Sequence, residues 1–201
     1  MAYRSISALA VAATCLAYPS SSAAGSGYQT AVLAGGCFWG VEGVYEHVKG
    51  VKNVTSGFAG AGQSGLMRSR GSDGEPAEAV QIVFDPGQLS YDQILEIFFD
   101  VAHDPTQEDR QGPDIGARYR SAIFPQNAQQ KAIASKTIAA LRSSGRFNRP
   151  IATRIEYGGF ERAGPDQQDF VAKHPQTPYV IINDLPKLAE LKRRHQDLWR
   201  E

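Results

Sequence analysis

Apolar residues recur along this chain with two periods, one near two and one near 3.6, and the changes from one to the other mark out its elements. Thr30 to Ala34 is small and apolar, as a buried strand is. From Phe38 the apolar residues fall at Phe38, Val41, Val44, Tyr45 and Val48, the spacing of an amphipathic helix, and Gly50 is its stop signal. Val51 to Phe58 predicts a strand, and Gly57 to Gly74, with further glycines at 60, 62, 65 and 71, predicts a long loop. Ala77 to Phe84 predicts another strand, closed by the turn Asp85-Pro86-Gly87. Period two sets Glu78, Val80, Ile82 and Phe84 on one face, so a carboxylate shares a side with three large apolar residues. Alternation alone equally allows Glu78 to sit at a strand end turned to solvent.

Ser90, with Gln93 three residues later, predicts a capped helix through Ile94, Leu95, Ile97, Phe98 and Val101. His103 to Arg118 is polar and reads as a loop carrying Asp104, Asp109 and Asp114. Tyr119 to Phe124 predicts a strand, and a helix follows from Pro125 through Ala128, Ile133, Ile138 and Leu141 to Gly145. Ile151 to Tyr157 reads as a further strand, Asp166 to Lys173 as a short helix, and Pro186 to Trp199 as a last amphipathic helix. From Thr30 to Phe124 the order is strand, helix, strand, strand, helix, strand. That is the order of a ferredoxin-like split βαβ core, and it predicts an α+β two-layer sandwich, helices over one face of a mixed sheet, with C-terminal extensions.

Length and composition fit one domain: 201 residues, 42% hydrophobic and 21% charged. The formal net charge of zero argues against nucleic acid or a membrane surface as an obligatory partner, and the short basic run Lys192-Arg193-Arg194 reads as a solvated helix face. The first 24 residues run from a positive start through an apolar stretch, Ile6 to Tyr18, to small residues ending Ser22-Ala23-Ala24, which predicts a signal peptide, 1–24, and export, with the bacterial periplasm as the expected destination. A disordered tail is the other reading of this segment. Cleavage would remove Cys15, one of only two cysteines, and leave a mature chain, 25–201, with no internal disulfide and no membrane anchor.

Cys37 is then a lone thiol at a predicted strand-to-helix turn, where free N–H groups and the helix dipole favour a thiolate. A cysteine hydrolase needs a histidine base, and the four histidines, 47, 103, 174 and 195, have no spacing that marks one. They read as surface residues, and they form no zinc-type cluster, so neither a metal nor a cofactor is expected. Reduction of a sulfoxide suits the residues better. The sulfoxide sulfur needs a nucleophile, its oxygen needs a proton and its methyl group needs an apolar pocket; Cys37, a buried Glu78 with a raised pKa, and the pair Phe38-Trp39 match those needs.

Gly35-Gly36-Cys37-Phe38-Trp39-Gly40-Val41-Glu42 closely resembles the signature of the A-type peptide methionine sulfoxide reductases. The resemblance runs on through Ala77-Glu78-Ala79-Val80, Phe84-Asp85-Pro86, His103-Asp104-Pro105-Thr106-Gln107 and Arg110 to Ser121, spanning roughly Thr30 to Lys173. It implies a single reductase domain over 25–201, with Cys37 as nucleophile, Glu78 as the acid for the sulfoxide oxygen, Asp114 and Tyr119 as polar pocket residues, and Phe38 and Trp39 around the methyl group. It also implies action on the S epimer of methionine sulfoxide, free or in oxidised proteins, through a cysteine sulfenic acid. The chain departs from the pattern at Pro76, a usual histidine; at Phe58, a usual tyrosine in the substrate pocket; and at Gln167, a usual histidine. No cysteine follows Cys37, where many relatives carry a resolving one. A one-cysteine cycle is expected, with a thioredoxin-like protein or a small thiol as reductant. A redox sensor, a non-catalytic binder of oxidised methionine and a cysteine hydrolase are the alternatives.

Overall fold

The fold is that of a computed structural model described for residues 27–61 and 74–201. The expected signal peptide, 1–24, and positions 62–73 of the expected glycine-rich loop lie outside the described residues.

The architecture is α+β. The first half comprises β1 (Gln29–Gly35), α1 (Phe38–Glu46), β2 (Val51–Ala61), β3 (Ala77–Phe84), α2 (Tyr91–Ile97), the two-residue strands β4 (Arg110–Gln111) and β5 (Asp114–Ile115), and β6 (Ser121–Ile123). The second half adds α3 (Ala128–Ser143), β7 (Arg154–Ile155), β8 (Gly159–Arg162), α4 (Phe170–Lys173) and α5 (Leu185–Arg194). Six strands form one sheet in the order β7-β6-β1-β3-β2-β8, antiparallel except where β6 meets β7. In the centre, Leu33 of β1 faces Val80 of β3 on one side and Ile123 of β6 on the other.

Alternation along these strands divides the interior in two. Ala31 and Leu33 join Val80, Ile82 and Phe84 in a large core with residues of α1, α2 and α3, whereas Val32 and Ala34 join Ala59, Ala77, Ala79, Ala122 and Phe124 in a smaller cluster. α2 starts as its sequence predicts: Ser90 Oγ accepts from Gln93 N–H at 3.2 Å while Ser90 N–H donates to Gln93 Oε1 at 2.9 Å. The helix then widens into a π turn over Phe98–Ala102.

Several boundaries differ from the pattern reading. β2 extends to Ala61, so the start of the expected glycine loop is strand; it pairs with β3 and, on its outer edge, with β8. Gly159-Phe160-Glu161-Arg162 has no apolar alternation because as an edge strand it is largely exposed, and pattern reading misses it. The strand expected over 151–157 shrinks to two residues. Tyr119 lies in a 3-10 turn, Ala117–Tyr119, rather than in a strand. The last helix stops at Arg194, and the chain returns to pair Trp199 with Val48, with Arg200 N–H donating to His47 O at 2.9 Å. Two of the four histidines are not surface residues, since His103 and His195 are buried. No described helix is long and apolar enough to cross a membrane.

Candidate active site

The site forms where β1 hands over to α1. Gly36 has φ +93°, a region that L side chains avoid, and a Cβ there would lie 2.5 Å from Gln111, so the turn needs glycine on both counts. Cys37 follows as the N-cap residue of α1, 8% exposed. Next to it, the Phe38 N–H donates to Glu78 Oε2 at 3.3 Å, so a backbone group at the start of the helix binds the carboxyl predicted as the acid. Glu78 is 7% exposed, which rules out the solvent-facing reading of its strand position. Burial raises its pKa to about 7, opposed by the Phe38 N–H and the Arg118 charge and reinforced by Asp114.

The thiol behaves differently from its sequence expectation. The Trp39 N–H does favour a thiolate, but burial outweighs it and pushes Cys37 up to about 12, with Glu78 and Asp184 adding in the same direction. At neutral pH the resting residue is a thiol, because the helix terminus offers partial charges while the site around it excludes water.

The predicted polar residues converge on the same point. Tyr119 is half-buried, and burial raises its pKa, with Glu78 and Asp114 adding in the same direction. Asp114, on β5, accepts a short hydrogen bond from the Tyr179 hydroxyl. Burial and the Asp114 contact, with the neighbouring Cys37 adding to them, push the Tyr179 hydroxyl well above its usual range, so it stays protonated beside the thiol. Pattern reading misses Tyr179 because it lies in an irregular proline-containing segment. Asp184 is missed as well: fully buried at the end of a π turn, Val180–Asp184, it has a pKa raised to about 6 by burial, with Lys187 Nζ 3.6 Å away as its counter-charge. A Cβ on Gly40 would come within 2.2 Å of Asp184 Oδ1, so this glycine of α1 is what admits the carboxylate beside the site.

Aromatic groups supply the walls. Phe38 meets Phe58 edge-on at 5.7 Å, and Phe58 faces Glu78 in the β2–β3 register. Trp39 stacks on Phe170 at 3.6 Å and 6°, meets Tyr179 edge-on at 5.7 Å, and donates its indole N–H to Gln167 Oε1 at 3.1 Å. Gln167 therefore anchors the indole. Beneath β1, His103 stacks on Phe98 and bonds the Phe98 carbonyl through Nδ1 and Ser121 Oγ through Nε2. Burial lowers its pKa to about 4, so the neutral ring donates from Nδ1 and accepts from Ser121, whose hydroxyl in turn accepts from Thr153. His103 is thus a support for the sheet and not a base for the thiol.

Residues 29–199 match the family model for peptide methionine sulfoxide reductase. The chain is 45% identical over 174 residues to peptide methionine sulfoxide reductase MsrA 2 of Synechocystis sp., covering 85% of this chain and 81% of the relative. It is 44% identical over 181 residues to MsrA 2 of Mesorhizobium japonicum, covering 89% and 93%. Among solved structures, methionine sulfoxide reductase A of Corynebacterium diphtheriae aligns with a TM-score of 0.59 at 27% identity, over 77% of this chain and 78% of the other. Reduced Mxr1 from Saccharomyces cerevisiae aligns with a TM-score of 0.61, also at 27% identity, over 76% and 89%. The chain belongs to the peptide methionine sulfoxide reductase family.

Proposed function

We propose a route by which these residues carry out the family's reaction, the thiol-dependent reduction of methionine S-sulfoxide that repairs oxidised proteins. The observation that carries it is a buried carboxyl titrating near neutrality and held on the first N–H after a buried thiol. The substrate methyl group lies against Phe38, Trp39 and Phe58, and the sulfoxide oxygen faces Glu78 and the Tyr119 hydroxyl. Glu78 in its acid form protonates that oxygen and makes the sulfur more electrophilic. The Cys37 sulfur attacks the sulfoxide sulfur and forms an S–S bond; the oxygen then passes to the Cys37 sulfur, the S–O bond and the new S–S bond break, methionine leaves, and Cys37 is left as a sulfenic acid. The cysteine is oxidised by two electrons, the sulfoxide is reduced by two, and the thiol proton returns the site to its starting charge. Tyr179, bonded to Asp114 and neighbouring Cys37, stands where that proton can pass.

No cysteine follows Cys37, so the sulfenic acid waits for an outside thiol, a thioredoxin-like protein or a small thiol. The strand order β6-β1-β3-β2, antiparallel throughout with α1 and α2 as its connections, supports a ferredoxin-like core carrying β7, β8, α4 and α5 as extensions. The N-terminal pattern of 1–24 supports export to a periplasm. Incubation with the two epimers of a methionine sulfoxide peptide tests the reading: with dithiothreitol only the S epimer turns over, and without it one equivalent of methionine forms and a sulfenic-acid reagent labels Cys37. Binding without turnover, or turnover that survives Cys37→Ser, defeats it.

A further inference from the structure

On the face of α1 away from the thiol, Glu42 and Glu46 stand one turn apart, and Asp169, just before α4, reaches the same spot. One carboxylate oxygen from each lies within 4.8 Å of the other two. Glu42 is 1% exposed, and neither of its oxygens meets a donor in hydrogen-bonding geometry. Ser56, fully buried on β2, likewise has a hydroxyl without a partner; with the Asp169 and Phe170 N–H groups it offsets only part of the cost of burying Glu42. Cations nearby are otherwise engaged. Lys173 holds Asp169 Oδ2 at 2.9 Å, and Arg200 donates to the backbone carbonyls of Glu46 and Val51. Among the described residues no ion pair involves Glu42 or Glu46.

Like charges one turn apart disfavour a helix, and a buried carboxylate without a partner is costly, so this arrangement calls for something that binds several oxygens at once. Three oxygens no more than 4.8 Å apart share a centre at most about 2.8 Å from each, a spacing that the flexible all-oxygen coordination of calcium, with bonds of about 2.3–2.6 Å, accommodates with little movement. The donors are all hard oxygens, unsuited to a thiophilic metal. We propose that Glu42, Glu46 and Asp169, with the Ser56 hydroxyl beside them, form a calcium-type divalent cation site. A bound cation would clamp the segment after β8 onto α1. Phe170 and Gln167 of that segment are the residues that hold Trp39, so the clamp would set one wall of the pocket without taking part in the reaction.

The test uses the purified protein at pH 8, where the three carboxyls are ionised, with calcium chloride alone as probe and sodium chloride of equal ionic strength as control. Calorimetric titration should show one site, and 10 mM calcium should raise the melting temperature by about 3–8 °C. Glu42→Gln keeps the side-chain shape, and Asp169→Asn keeps a residue that tolerates the positive φ found there; each should weaken binding at least tenfold. No calcium-specific heat or melting shift in the parent protein would overturn the proposal. So would calcium binding that survives both substitutions, which would place the ion elsewhere.

Discussion

Cys37 and Glu78 occupy one low-dielectric corner and are shifted in the same direction, each toward its protonated form. Below about 12 the cysteine is a thiol, so the reactive enzyme is the one with both protons in place, and kcat/KM for a small sulfoxide should fall as pH rises through about 7. A rate that instead rises through that range would mark Glu78 as the base that removes the thiol proton, and the acid role would be lost. Glu78→Gln should lower kcat by about 10²–10⁴ and remove the inflection near neutrality. Tyr179→Phe deletes one hydroxyl and leaves the ring against Trp39; a loss of roughly tenfold in kcat with KM little changed would match a proton-handling role, whereas a change confined to KM would assign it to the pocket wall.

Among the elements, α1 has an unusual task for a nine-residue helix. Its first residues carry the aromatic pair, its middle makes room for Asp184, and its far side carries Glu42 and Glu46. Gly40 is the position at which these tasks meet. In an exposed helix, Gly→Ala would be stabilising by roughly 1 kcal/mol, but a Cβ here would meet Asp184 Oδ1 at 2.2 Å. Gly40→Ala should therefore destabilise the protein by about 1–3 kcal/mol in denaturant unfolding. Because the π turn must shift, it should also lower activity; an alanine variant of unchanged stability would show that Asp184 moves aside freely.

Over the whole molecule, pH and one buried ion pair bear on stability. Burial raises Glu42, Glu46 and Glu78 to about 7 and Asp184 to about 6. A carboxyl whose folded pKa exceeds its unfolded value keeps its proton longer in the native state, so its contribution is full below the unfolded pKa and is lost as pH rises through the folded one. His103, lowered to about 4, acts oppositely between about 4 and 6.5, one group against four. The melting temperature should therefore be several degrees higher at pH 5.5 than at pH 8 in metal-free buffer, and a flat profile would contradict the burial of these carboxyls. On the other face of the sheet, Arg120 and Glu156 are almost fully buried and form a two-pronged pair, Nε–Oε1 at 3.0 Å and Nη2–Oε2 at 2.9 Å. Glu156→Ala would leave the guanidinium uncompensated and should cost about 3–5 kcal/mol, read from the shift in urea midpoint.

Local rules made part of this protein legible in its sequence. Period two placed Val80, Ile82 and Phe84 on the core face together with Glu78; the three-and-four spacing after Phe38 placed α1; and Ser90 with Gln93 announced the cap of α2. Cys37, Glu78, Asp114, Tyr119 and the aromatic trio could be named because their neighbours in sequence form motifs. What escaped was decided by contacts between distant segments. β8 is a strand only because β2 offers it an edge, and Tyr179 and Asp184 reach the thiol from an aperiodic stretch more than 140 positions away in the chain. The protonation of Cys37 belongs with these. The sequence placed the thiol at a helix start, where local dipoles favour the anion, but only the packing of Glu78, Asp184 and the aromatic rings around it decided how little water reaches it, and desolvation outweighs the dipole.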